Sequence, residues 1–140
     1  MKKIINDIIP FPGYKALTAW PLLFIRRKAL PRFDEESERH ENIHGEQQKE
    51  LLCAGAVITA ILGVAGAGWW ALLALPLPIW LYILLYLVRL AWHRNHKAAY
   101  YNNPFEQEAY IFEGYISYLS FRKHFAWTRF IFETNFTKIN

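Results

Sequence analysis

Apolar and polar positions are segregated along this chain. From Leu51 to Val88 there is no Asp, Glu, Lys, Arg or His, so every formal charge lies outside that run. The stretch before it, Asp34 to Glu50, is densely charged and free of proline. Asp34-Glu35-Glu36-Ser37 is an N-terminal helix signal, with acidic side chains where the helix dipole favours them. No stop follows before Ala67, so the pattern predicts one long helix over 34–67, polar in its first third and apolar beyond. Gly63, Gly66 and Gly68 with Trp69 and Trp70 predict a reversal. A second helix is expected over 70–101, with Pro76 and Pro78 in its first turns, where a missing N–H is best tolerated. Asn102-Asn103-Pro104 breaks it, and an Asn cap before a first-turn proline opens a further helix over 103–121. Residues 122–140, aromatic and basic, read as a surface helix. Residues 1–33 form an N-terminal arm. Its first 14 residues are expected to be irregular, with one helical turn at Lys3–Ile9. Over 14–30, Pro21 argues against a helix interior and against a central strand, leaving an edge strand or a short hairpin.

Length turns this pattern into a fold class. A bilayer-spanning helix takes about 20 apolar residues, and the charge-free run is long enough for two. The expectation is a mainly α, single membrane-embedded domain over 1–140. It is built on a hairpin of two transmembrane helices, Gln48–Gly66 and Trp70–Arg89, with cytoplasmic helical extensions. The competing reading, two buried helices of a soluble α-domain, leaves too little other chain to cover both. Basic residues flank both outer ends of the run (Arg26, Arg27, Lys28 and Arg32; Arg89, Arg94 and Lys97) and none lies in the turn. The positive-inside rule then makes both termini cytoplasmic, as in a bacterial inner-membrane protein. Asp7, Pro10 and Pro12 interrupt the N-terminus before it can serve as a signal peptide. The lone Cys53 excludes an internal disulfide. The net charge of +4 flanks the apolar run and forms no groove-fitting basic element, so the expected partner is a lipid bilayer and not nucleic acid.

The polar third of the first helix carries the chemistry. His40-Glu41-Asn42-Ile43-His44 is an H-E-x-x-H pentapeptide. Positions i and i+4 share a helix face, so both imidazoles can reach one metal ion, and the intervening glutamate can take a proton from water beside it. The plainer reading is a solvated helix face with two surface histidines. A hydrolytic zinc site needs a third protein ligand and an open position. Glu106 and Glu108 offer carboxylates at the start of the 103–121 helix, which the hairpin returns to the same end. They lie about 200° apart around that helix, so only one can serve. Asn103-x-x-Glu106 also reads as a capping box, which explains Glu106 without metal. His93 and His96 can supply an oxyanion-stabilising imidazole or simply a basic helix end; His124 has less context still. Trp127, Phe130, Phe132 and Phe136 read as membrane-surface anchors.

H-E-x-x-H, an intervening apolar hairpin and then F-E-x-x-A at a later helix start together resemble the gluzincin-type membrane metallopeptidases. That group includes the HtpX heat-shock protease and the CaaX prenyl endopeptidase. The resemblance covers about Asp34 to Tyr110. It implies Zn²⁺ held by His40, His44 and Glu106, with Glu41 as general base and Ala109 as the small residue where two helices approach. Glu108 is the runner-up ligand. Tyr110 stands where the family has an aspartate that orients a ligand histidine; its hydroxyl can bond a ligand or the tetrahedral intermediate. The implied function is a minimal zinc-dependent endopeptidase that cleaves peptide bonds at the cytoplasmic membrane face, with Ala16–Ile25 as an edge for an extended peptide. The alternative is a non-catalytic membrane scaffold or adaptor of the same fold, with or without a structural metal.

Overall fold

The computed structural model describes residues 1–136; the last four residues of the expected 122–140 segment lie outside the described residues. Three strands come first: β1 (Lys2–Asn6), β2 (Ala16–Ala19) and β3 (Leu22–Arg26). They form one sheet of order β1-β3-β2, with β1 parallel and β2 antiparallel to β3. The helical turn expected at Lys3–Ile9 is therefore a strand. The hairpin over 14–30 exists, but its second arm is the central strand. Pro21 stands one residue before β3, where its missing N–H interrupts no ladder bond. Leu23 and Ile25 alternate inward and are almost fully buried.

Helix α1 (Glu35–Val64) starts where the sequence predicts. The Asp34 carboxylate accepts the backbone N–H of Ser37 at 2.9 Å, a hydrogen bond that holds its pKa below the usual range. The sheet lies along the polar half of α1. Met1 closes over Gly45, where an added Cβ would come within 3.0 Å of its sulfur. α1 is followed by a 3₁₀ turn (Gly68–Ala74), then α2 (Leu77–His93), α3 (His96–Tyr101), α4 (Pro104–Phe112), α5 (Tyr118–Phe121) and a last 3₁₀ turn (Ala126–Phe130).

Two expected helices are shorter than their patterns suggested. The segment over 70–101 breaks at Arg94, whose φ of 52° is left-handed, and restarts after the Asn95 cap. The segment over 103–121 stops at Phe112. The surface helix expected after Arg122 is only a 3₁₀ turn, and its Trp127 is a core side chain packed on Leu51 and Phe105.

The membrane hairpin requires correction. Among the described residues no single helix is long and apolar enough to cross a bilayer. The charge-free part of α1, Leu51–Val64, is about 21 Å long against a hydrocarbon core of about 30 Å. The second expected span is broken at Leu75–Pro76 into the Gly68–Ala74 turn and α2, with a bend of 60°. Pro76, which lacks the N–H needed to continue a helix, is the cap of α2 and Pro78 lies in its first turn. The fold is mainly helical with a small three-stranded sheet.

The core follows the same division. One cluster joins Ile43 of α1 to Ala109 of α4 and Tyr118. A second joins Leu51, Phe105 and Trp127 with the inner face of α2. Arg89 closes the base of α2, donating to the carbonyls of Asn102 at 2.7 Å, Phe130 at 3.0 Å and Ile131 at 2.7 Å.

Candidate metal centre

α1 and α4 carry the centre between them. Helical spacing stacks His40 and His44 on one face of α1. Asn103 and Pro104 start α4 so that Glu106 points back at that face. The His40 and His44 Nε2 atoms are 3.1 Å apart, and Glu106 Oε2 lies 3.6 Å from each. A tetrahedral ion with bonds of about 2.0–2.1 Å has its ligand atoms about 3.3 Å apart, so the three atoms fit around one metal.

The imidazoles are held in this pose from behind. Glu113 Oε2 lies 2.7 Å from His40 Nδ1, and Gln47 Oε1 lies 2.8 Å from His44 Nδ1. The Gln47 amide nitrogen in turn donates to Phe105 O at 3.1 Å and to Glu108 Oε2 at 3.0 Å, which fixes its oxygen toward the histidine. The acceptors behind both rings favour hydrogen on Nδ1, so that each imidazole, when neutral, turns its Nε2 lone pair to a common point. Two lone pairs at 3.1 Å repel unless a cation lies between them.

Glu106 completes the electrostatics. Its Oε1 accepts the Tyr82 hydroxyl at 2.9 Å, while Oε2 is buried with no hydrogen-bond partner. A buried carboxylate oxygen without a partner is costly, and a metal ion in the centre satisfies it. Burial pushes the Glu106 pKa up, but the two facing imidazoles prevail and hold it well below the carboxylate range. Burial pushes His40 down, and the carboxylates of Glu106 and Glu113 outweigh it, raising its pKa to about 9. His44 is raised too, with burial opposed chiefly by the charge of Glu106. Without metal, protons provide the positive charge that this geometry demands.

Glu41 lies on the adjoining face of α1, where Thr18 of β2 puts its hydroxyl 2.7 Å from Oε2. His40, Glu41 and Glu113 line an open cleft of about 1280 Å³. Tyr82, Tyr86, Tyr100 and Tyr110 also line it, as does His96, whose Nδ1 is 2.7 Å from the Tyr86 hydroxyl. Tyr110 packs its ring 4.5 Å from that of His40.

The remaining candidates lie elsewhere. Glu108 points away from the pair: Arg122 and Tyr118 donate to its Oε1 at 2.6 and 2.8 Å, and Arg122 also pairs with Glu50. Asn103 caps α4 through the Phe105 N–H, and its own N–H goes to Tyr100 O, so the capping box does not form. His93 Nε2 is buried without a partner among the described residues, and His124 is exposed, 3.4 Å from Glu50.

Three contributors were missed in the sequence. Glu113, seven residues after Glu106, is two turns along the same helix face and supplies the carboxylate on His40 that the resemblance looked for at position 110. Gln47 follows His44 by three residues, a spacing that could have flagged it. Thr18 reaches Glu41 only through the docking of the sheet, which no local pattern signals. Comparison with protein-family models, curated proteins and solved structures gives no match.

Proposed function

We propose that this protein is a zinc-dependent endopeptidase, with His40, His44 and Glu106 as metal ligands and Glu41 as general base. The observation that carries this reading is the convergence of two Nε2 lone pairs on a buried Glu106 oxygen that has no other partner. A set of two imidazoles and one carboxylate suits zinc and leaves one of four positions for water or substrate. The open cleft beside His40 and Glu41 favours a catalytic centre over a closed structural one. Zinc bound there supplies a Lewis acid that polarises a peptide carbonyl and acidifies water.

The chain's own groups do the rest. Glu41 takes the proton of the attacking water and delivers it to the leaving amine. Thr18 fixes the Glu41 carboxylate. Glu113 and Gln47 keep both imidazoles in the tautomer that offers Nε2. Gln48 caps the outer edge of β2, accepting from Trp20 N–H and donating to Thr18 O, each at 2.8 Å. That leaves the Lys15–Ala16 end, which lines the cleft, as the place where an extended peptide can lie. The H-E-x-x-H and F-E-x-x-A motifs that carry these residues resemble those of the gluzincin-type enzymes, which supports the same reading.

The test is a Glu41→Gln variant beside wild type, each assayed for bound zinc and for cleavage of a fluorogenic peptide library. The expected result is full zinc with cleavage lost. Equal cleavage by the variant removes Glu41 as the base, and absence of cleavage by zinc-loaded wild type leaves a non-catalytic metal-binding protein.

A further inference from the structure

Beyond Leu51 the chain forms a finger: the second half of α1, the Gly68–Ala74 turn and the first half of α2. Between residues 52 and 88 only Gly55 and Ala71 are buried by the chain itself. Gly55 permits this contact, since a Cβ there would meet the Ala74 carbonyl at 2.5 Å. The inner face of α2 is half-buried against the core, while the outward side chains are left open, among them Ile61 at 62%, Val64 at 92%, Trp69 at 87% and Trp70 at 77% exposure.

Direction decides what can cover them. Exposed positions 56, 57, 58 and 60 to 64 of α1, at 100° per residue, point all round the helix. On α2, positions 79, 80, 83, 84, 87 and 88 are exposed and cover half its circumference. A protein partner presents one surface and covers one face. A helix pair that is apolar on all outer sides needs a surrounding apolar medium. The charges that bound the run are turned inward: Glu50 pairs with Arg122, and Arg89 binds backbone carbonyls. Among the exposed side chains near that base, Lys123 and Arg129 are cationic and Glu133 is acidic, a net positive rim that suits anionic headgroups. At about 21 Å along α1, the finger exceeds the ~15 Å hydrocarbon depth of one leaflet.

We propose that the outer finger, residues 52–80, is embedded in the hydrocarbon of a lipid bilayer, entered from one face, with the His40–His44 end of α1 above the headgroups. This anchoring surface stands independently of the proposed peptidase activity. The full chain, purified in detergent, is reconstituted into vesicles of phosphatidylcholine and phosphatidylglycerol, with or without bromine on the acyl chains. The expected result is co-flotation with vesicles, loss of tryptophan emission in brominated lipid, and much weaker loss in the Trp69→Phe/Trp70→Phe variant. Cys53, the single cysteine and exposed on the finger, is then shielded from a water-soluble maleimide only in the vesicle-bound state. Failure to float, or flotation with equal quenching in both proteins, overturns the proposal. A discrete lipid-free dimer with Cys53 shielded overturns it in favour of a second copy of the chain.

Discussion

The two halves of α1 are one continuous helix with opposite surroundings. Along the polar half, His40, His44 and Gln47 are each tied to a partner on another element or on the next turn. Along the apolar half, residues 57–64, Ile58 and Leu62 lean on the following turn, while Val57, Ile61 and Val64 of the same helix stand open. The polar half is organised by directional bonds that aim specific atoms; the apolar half needs only the right medium. Helix continuity here does not carry functional continuity. Changes in one half should act on metal, and changes in the other should not.

The largest effects are expected at the proposed metal ligands. His40→Ala or His44→Ala should abolish stoichiometric zinc, read by elemental analysis of the purified protein. His96→Ala and His124→Ala should retain it, because neither ring meets the centre.

Glu108→Gln tests the frame that holds α4 to α1. Glu108 is fully buried and shared by Arg122, Tyr118 and Gln47. Removing one partner of such a buried pair should cost about 3 kcal/mol of unfolding free energy, measured by denaturant titration. The folded fraction should still bind one metal.

Glu113→Gln removes the carboxylate on His40 Nδ1 while keeping a hydrogen-bond acceptor. Metal affinity should fall by about 10–100-fold, read by competition with a chelator. The same variant sharpens the pH behaviour. In the metal-free protein the His40 pKa rises from 6.5 to about 9. A raised folded-state pKa contributes stability that is fully present below the unfolded value and is lost as pH rises through the folded one. Metal-free protein should therefore lose stability between pH 6.5 and about 9, and Glu113→Gln should move that loss to lower pH. Zinc affinity should climb across the same window as the competing proton leaves.

The smallest effect is expected in the apolar half. Val64→Ser, at the outer end of α1, should leave metal affinity unchanged and alter unfolding free energy by no more than about 0.5 kcal/mol in detergent. A change in metal affinity there would break the contrast between the halves.

Much of this was legible. The Asp34 cap, the long helix and the two ligand-bearing segments follow from local chemistry: an acidic first turn, i,i+4 spacing and an Asn-Pro helix start. Helix phase says that only one of Glu106 and Glu108 can face the histidines, and it was the F-E-x-x-A resemblance that pointed to Glu106. What was not legible depends on tertiary placement. β1 looked irregular because its strand character comes from pairing with β3, 20 residues on in register. The helix over 70–101 looked continuous because composition does not register the turn at Pro76 or the left-handed Arg94. Trp127 looked like a surface anchor because nothing in its neighbourhood reveals the pocket between Leu51 and Phe105.

The most direct test of the proposed metal centre loads cobalt into metal-free wild type and Glu106→Gln. Wild type should titrate to one Co²⁺ per chain and show the intense visible bands of a tetrahedral ion, bands that are lost or greatly weakened in Glu106→Gln at equal metal concentration. Identical spectra and stoichiometry in the two proteins would contradict the assignment of Glu106, and absence of bound cobalt in wild type would contradict the centre itself.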